Sequence, residues 1–298
     1  MIAEYNELMC YKQTEITSEG KLKFFLEKHS TKEGTWGQLN LQDGEIDFVF
    51  LNGQGQELSR KRVDQKHPQL IIPPASWHKI IPTSTSFKAN LEFYCMPHRY
   101  FNKKYSLGEV HSDLIHIYQT YWKHLRGLSI LDVGCGSGRN LLYLAKMNHS
   151  IIGIDHNQSA LATIQEIAEK EALPGVDTLL HDLHQPLTPT LGQFDIVIST
   201  VSLQFLNAQR IPTLLAELQQ VTKSNGYHFL VFPIQSELYS LPGFFTFLPQ
   251  KEELYHLYQD RGWSILEYNE SVGHLHKKDE SGRQISGLFG LLLAQKIA

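Results

Sequence analysis

The chain has 298 residues, 42% hydrophobic and 19% charged, with a formal charge of −4. This is an ordinary globular composition, long enough for two cores, and it lacks the basic stripe that a nucleic-acid or anionic-membrane partner requires. Three scattered cysteines, Cys10, Cys95 and Cys135, exclude a disulfide framework or zinc pattern, and with no leader and no membrane-length apolar run a cytoplasmic protein is expected.

Up to residue 95 the pattern is β. Ile46, Phe48 and Phe50 alternate with polar neighbours, as do Ala89, Leu91, Phe93 and Cys95, and Asp43-Gly44 and Asn52-Gly53 are hairpin signals. Leu70–Pro74 reads as a strand stopped by prolines, and the next restarts at Trp77. Short strands and frequent turns predict a small antiparallel sandwich or barrel. Pro73-x-x-x-Trp77-His78 is similar to the second motif of cupin-type barrels. A metal-binding barrel of that kind also needs a His-x-His and a carboxylate, which Gly34–Asn40 does not offer. His78 is therefore expected to pack or to line a rim, and no metal is expected.

Residues 96–104 form the expected boundary between a first domain, 1–100, and a second, 101–298. Leu107–Leu125 is predicted helical, with Leu114, Ile117, Tyr118, Tyr121, Trp122 and Leu125 on one face. Tyr105 and His111 stand where such a helix would begin to cover a ligand.

The second domain is organised around Ile130–Asn140. Leu128–Val133 reads as a buried strand, Gly134, Gly136 and Gly138 allow a sharp turn and a close approach to a ligand, and a helix follows from Asn140. Asp155 ends the next apolar run, 23 positions after Asp132. That is near the ~20-residue spacing at which a strand-end carboxylate receives a ribose hydroxyl. The glycine spacing is not the dinucleotide G-x-G-x-x-G. An aspartate two residues before the first glycine suits a ligand with a cation, such as an amino-acid ammonium, better than a diphosphate. Asp132-x-Gly-x-Gly-x-Gly138 followed by Asp155 resembles the first motif and acidic loop of class I S-adenosylmethionine methyltransferases.

The alternation then continues. Helix Ser159–Glu171 leads to strand Val176–Leu180, which ends in His181-Asp182-Leu183, where an acid would reach an adenine amino group. Strand Phe194–Thr200, a helix from Ile211 through Val221 closed by Asn225-Gly226, and strand Tyr227–Ile234 complete an α/β, Rossmann-like, doubly wound parallel sheet with its ligand at the carboxyl ends of the strands. In the tail, Glu237–Pro249 reads as a lid and Lys251–Arg261 as a helix. Trp263–Asn269 and Ser286–Lys296 read as strands around a cation-rich hairpin tip, Gly273–Ile285.

Together with Thr31-Lys32-x-Gly34-Thr35-Trp36-Gly37, Glu92-Phe93-Tyr94-Cys95, Tyr100-Phe-x-Lys-Lys-Tyr105, Ser199-Thr-Val201 and Gly273-x-Leu-His276, these motifs make the chain similar to the tellurite-resistance methyltransferase (TehB) family. The resemblance is to the long form with an N-terminal cupin-like domain. It implies a class I methyltransferase that uses S-adenosylmethionine to methylate a small tellurium or selenium oxyanion. The cofactor contacts it implies are Tyr105, Asp132, Gly134, Gly136, Gly138, Asn140, Asp155, His156, Asp182, Leu183 and Thr200. A histidine and two arginines of the family's tail are implicated in activity. Here His276 matches the histidine, Lys277 stands at the first arginine, and Gln284 at the second, with Arg283 one position earlier. His276, Lys277 and Arg283 are accordingly the expected catalytic cations. The residues alone leave open a thiol or other soft nucleophile as substrate, or a cofactor-binding sensor without turnover.

Overall fold

The structure, a computed structural model, describes residues 7–19, 22–188, 191–278 and 281–297, apart from the side chains of 22–23 and 276–278. The chain divides into two compact units, Met1–Leu107 and Gly108–Ala298.

The first unit runs β1 (Met9–Thr17), α1 (Leu22–Leu26), β2 (His29–Ser30), β3 (Trp36–Asp43), β4 (Ile46–Leu51), β5 (Glu57–Val63), β6 (Gln69–Ile72), β7 (Trp77–Pro82), β8 (Lys88–Cys95) and α2 (Tyr100–Tyr105). The strands form two four-stranded antiparallel sheets, in the orders β1-β8-β3-β6 and β2-β7-β4-β5. Period-two alternation turns Leu39, Ala89 and Leu91 of one sheet and Ile46, Phe48 and Ile80 of the other into a single buried cluster. The edge strand β5 carries Arg60, Lys61 and Arg62, and Asp47 on β4 accepts from Arg60 (3.2 Å) and Arg62 (2.6 Å). A charged edge of this kind resists pairing with another chain.

Asn52 does head a β4–β5 hairpin, its carboxamide oxygen accepting the N–H groups of Gln54 and Gln56 (3.0 and 2.9 Å), but the left-handed residue is Gly55, φ 87°, not Gly53. Asp43-Gly44 is not a hairpin turn. It joins β3 to β4, which belong to different sheets, so the turn carries the chain across the sandwich. His78 is buried against Phe48, ring centroids 4.9 Å apart, with Nδ1 2.8 Å from Ser76 O.

The second unit continues with α3 (Ser112–Ile117), β9 (Ser129–Val133), α4 (Arg139–Lys146), β10 (Ser150–Asp155), α5 (Gln158–Lys170), β11 (Val176–Leu180), β12 (Phe194–Thr200), α6 (Ile211–Gln220), β13 (Thr222–Ile234), α7 (Glu253–Asp260), β14 (Trp263–Lys278) and β15 (Gln284–Lys296). One seven-stranded sheet has the order β11-β10-β9-β12-β13-β15-β14. Strands β9 to β13 pair in parallel, and β15 is antiparallel to both β13 and β14, so the sheet is doubly wound but mixed.

Three sequence expectations shift. The long helix before β9 shrinks to α3 with a π-helical continuation over Tyr118–Trp122, entered through His111, whose Nδ1 accepts the Asp113 N–H (3.3 Å). α6 stops at Gln220, and Asn225 (φ 61°) turns the chain inside the irregular start of β13, where Phe194 faces Thr222 but Ile196 faces Tyr227. β14 runs on to Lys278, which pairs with Gln284, so the expected polar tip is largely strand.

Candidate functional site

The order of the strands reverses between β9 and β12: the chain goes outward through β10 and β11, then returns to the other side through β12 and β13. Connections diverge above such a switch point and leave a crevice at the strand ends. A cavity of about 860 Å³ lies there, lined by second-unit residues. That falls within the ~300–1,000 Å³ of small-molecule sites.

The floor of the cavity is main chain. Past Val133 the ladder continues through the N–H groups of Gly134 and Cys135, both donating to Ile154 O (2.8 and 3.0 Å). Gly134, Gly136 and Gly138 all have positive φ, at 73°, 53° and 79°. A Cβ on Gly134 would lie 2.5 Å from Ser202 Cβ and one on Gly138 2.6 Å from Ile164 Cγ1, but one on Gly136 would meet nothing within 4 Å. Two of the glycines therefore pack, and Gly136 presents bare backbone to the cavity.

Asp155, at the tip of β10, accepts the Gly136 N–H on Oδ2 and the Asn157 N–H on Oδ1, each at 2.9 Å. A carboxylate oxygen has two lone pairs, so each retains one. Two further O–H donors fit there, the number a ribose diol brings. His156 is exposed beside it, Nδ1 3.5 Å from Asp155 Oδ1.

Asp132 is buried at the end of β9, opposite Gly153 on β10, and lies outside the cavity lining. Burial pushes its carboxyl up to about 7, with Arg139 opposing and Asp155 adding to the shift. From there it could reach a ligand in the cavity only through its charge. Arg139 opens α4 and lines the cavity, its Nη1 donating to Glu109 O (3.3 Å), and burial lowers its pKa against the pull of Asp132.

Buried Asn140 spans the switch point. Its Nδ2 donates to Thr200 Oγ1 (2.7 Å) and its Oδ1 accepts the His111 N–H (3.1 Å). Next to Thr200, Val201 sits at φ 54°, a conformation that costs a β-branched residue on the order of 1–3 kcal/mol. Its N–H donates to Val231 O (2.8 Å) and Gln204 Nε2 donates to its carbonyl (2.7 Å), which holds it there. On the opposite wall Asp182 Oδ1 accepts the His184 N–H (3.0 Å) and faces His184 Nδ1 (2.8 Å), and that backbone N–H first of all holds its pKa down. Phe205 and Leu206 complete the wall. The expected lid, 237–249, contributes no lining residue; Thr246 donates to Gln204 O (2.8 Å) and Leu206 O (2.7 Å), so the segment braces that wall from behind.

Of the expected cofactor contacts, Gly134, Gly136, Asn140, Asp155, His156, Asp182, Leu183 and Thr200 line the cavity, whereas Asp132 and Gly138 do not. Tyr105 belongs to the first unit, where it ends α2 and stacks on Phe101 (6.1 Å). Arg283 is exposed at the β14–β15 turn, with Nε donating to Ser281 Oγ (2.9 Å), and is not a lining residue. His276 and Lys277 belong to β14, and their side chains lie outside the described residues. The sequence reading missed Gly108, Cys135, Ser137, His184, Val201, Ser202, Phe205 and Leu206 as lining. A usable signal existed for two of them, because the residues just after the fourth strand of such a sheet emerge at the crevice.

The family described as "Tellurite resistance protein TehB" matches residues 93–293, and a "TehB-like domain" matches residues 12–91. The chain belongs to the TehB family. A relative from Haemophilus influenzae (strain 10810), named "Probable S-adenosyl-L-methionine-dependent methyltransferase TehB", is 35% identical over 292 residues, 98% of this chain and 99% of its own. The crystal structure of TehB from Haemophilus influenzae matches with a TM-score of 0.91 at 34% identity, over 98% of this chain and 99% of that one. The YcgJ protein of Bacillus subtilis, 15% identical with a TM-score of 0.51 over 63% of this chain and 99% of its own, shares the fold alone. The TehB match takes in both units, and the mixed seven-stranded sheet is a class I methyltransferase sheet.

Proposed function

We propose that this chain, an S-adenosylmethionine-dependent methyltransferase of the TehB family, acts in the cytoplasm on small tellurium and selenium oxyanions and contributes to tellurite resistance. The observation that most supports the cofactor half is bare Gly136 beside an Asp155 carboxylate with two lone pairs to spare. The substrate half rests on the family, which both units match.

When bound, the cofactor would supply a methyl group on a sulfonium, open to in-line attack at carbon by an acceptor lone pair, with the neutral thioether as leaving group. What the chain must add is alignment, and positioning alone contributes on the order of 7–11 kcal/mol in well-oriented reactions. In this reading Asp155 receives the ribose, Asp182 the adenine amino group, and buried Asp132 favours an ammonium from behind the loop. A chalcogen oxyanion already carries its lone pair, so no general base is required. It needs a cation near the reacting centre, and Arg139 lines the cavity. His276 and Lys277 of β14 are proposed to strengthen that field; Arg283 is exposed at the turn and is not a lining residue.

A second reading is favoured by Phe205, which lines the cavity, is 52% exposed, and stacks parallel to Phe244 (6.2 Å). Such a wall suits an acceptor with an apolar part, such as an organic thiol. Incubating the protein with methyl-labelled cofactor and tellurite, selenite or a set of thiols separates the two. Labelled tellurium or selenium products support the first; label on thiols alone moves the assignment to the second, and no labelled product from any acceptor overturns both.

A further inference from the structure

The first unit holds a cavity of its own, about 710 Å³, which the reading above does not use. Ile16, Phe25, Ile72, Leu91 and Phe93 give it an apolar, partly aromatic lining. Two imidazoles stand in that lining, His29 and His78, with ring centroids 4.2 Å apart. Each Nδ1 lies against a backbone carbonyl, Glu27 O at 2.9 Å and Ser76 O at 2.8 Å. A ring nitrogen facing a carbonyl must carry the proton, which leaves Nε2 of a neutral ring as an acceptor. Among the described residues neither Nε2 has a hydrogen-bond partner, and neither is a sealed, unsatisfied atom. Burial lowers the pKa of both rings, that of His78 to about 4, so both are neutral near pH 7.

The charges of the lining are of one effective sign. Lys12, Lys32 and Lys103 contribute cations, while the carboxylate of Glu15 is paired with Lys88 at 2.9 Å. An anionic group is therefore drawn to the lysines and repelled by the Nε2 lone pairs. A hydroxyl is the complement of those lone pairs, and a flat apolar body is the complement of Phe25 and Phe93. We propose that this cavity binds a small hydroxylated aromatic carboxylate, with its ring on the apolar lining, its hydroxyl donating to His78 Nε2 and its carboxylate among the lysines. The site is separate from the methyltransferase reading and stands or falls without it.

The test is calorimetric titration of the full-length protein with 4-hydroxybenzoate and with benzoate, each at saturating S-adenosylhomocysteine. The expected result is one saturable site that prefers the hydroxylated acid by about tenfold, the equivalent of one hydrogen bond. His78→Phe should abolish the preference, and Lys32→Gln, at an exposed position, should weaken both acids alike by several-fold. No saturable binding up to roughly 10 mM, no preference for the hydroxyl in the wild type, or unchanged affinity in Lys32→Gln would each overturn the proposal. The wild-type comparison of the two acids decides the matter even if His78→Phe does not fold.

Discussion

The cavity above β9 and β12 is floored by main chain and flanked by carboxylates, whereas that of the first unit is walled by aromatic and aliphatic side chains around two neutral imidazoles. The difference is chemical before it is architectural. A main-chain floor requires glycines with particular φ values and a strand-end acid within reach of them, and these leave a compact mark in the sequence. A side-chain wall draws one or two residues from each of many strands, and no short stretch records it. The first kind should respond sharply to single backbone and carboxylate changes; the second should lose affinity by degrees.

The largest expected effect is at Asp155. Hydrogen bonds to a charged group are worth roughly 1.5–3 kcal/mol each, so Asp155→Ala should weaken S-adenosylhomocysteine binding at least tenfold by calorimetry. Binding of 4-hydroxybenzoate in the other cavity should not change. Equal cofactor affinity in wild type and variant would remove Asp155 from the site.

The glycines sharpen the contrast within the floor itself. Gly138→Ala would bring its Cβ to 2.6 Å from Ile164, and with the φ strain it should destabilise the fold by more than ~2 kcal/mol in urea. Gly136→Ala meets open space, so about 1–2 kcal/mol of left-handed strain is all the fold should lose. Yet Gly136→Ala should weaken the cofactor more than its stability loss suggests. The opposite ranking would mean that Gly138, not Gly136, faces the ligand.

Asp132 adds a pH dependence. A carboxyl raised from 3.8 to about 7 by folding favours the native state in acid, and that contribution fades as pH rises through this interval. The cofactor-free protein should therefore lose stability between about pH 4 and 7, and Asp132→Asn should flatten the loss and stabilise it at pH 8. The same variant should bind cofactor more weakly, because an ammonium loses its buried counter-charge. Denaturation curves at pH 5 and pH 8 check the first claim and calorimetry the second; a variant less stable than wild type at pH 8 would contradict it.

The smallest effect belongs to Val201. Relief of its positive φ should offset the lost side chain, so Val201→Gly should change stability by less than ~1 kcal/mol. Val197→Gly, fully buried four residues earlier on β12, should cost about 3 kcal/mol or more. A large loss at Val201 would show that its side chain matters more than its strain.

How much of this was legible in the sequence follows the same division. The glycine loop, Asp155, Asp182 and Thr200 could be placed because each ends a strand or follows one within two residues of its last apolar position. The switch point follows from the alternation of strands and helices. Val201 and Ser202 were within reach of the same logic, directly after β12, but His184 and Leu206 were not, since loops after strands are positioned by what packs behind them, as Thr246 packs behind Leu206. Asp43-Gly44 misled for a related reason: the dipeptide encodes a turn, but which sheet receives the next strand is set by the core. The π-helical Tyr118–Trp122 keeps a helical hydrophobic pattern, so its changed hydrogen bonding is invisible to periodicity. β14 runs past an irregularity after His274 to Lys278, which pairs with Gln284 of β15, an extension that the polar composition of this stretch does not announce.

Where the cofactor lies decides the assignment of the crevice, and a crystal structure with S-adenosylhomocysteine bound tests it most directly. The expected complex has both ribose hydroxyls on Asp155, the amino-acid end over Gly134 and Gly136 with its ammonium toward Asp132, and the adenine near Asp182 and Leu183. A complex with the nucleoside away from Asp155, or with the molecule outside the crevice between β9 and β12, would contradict it.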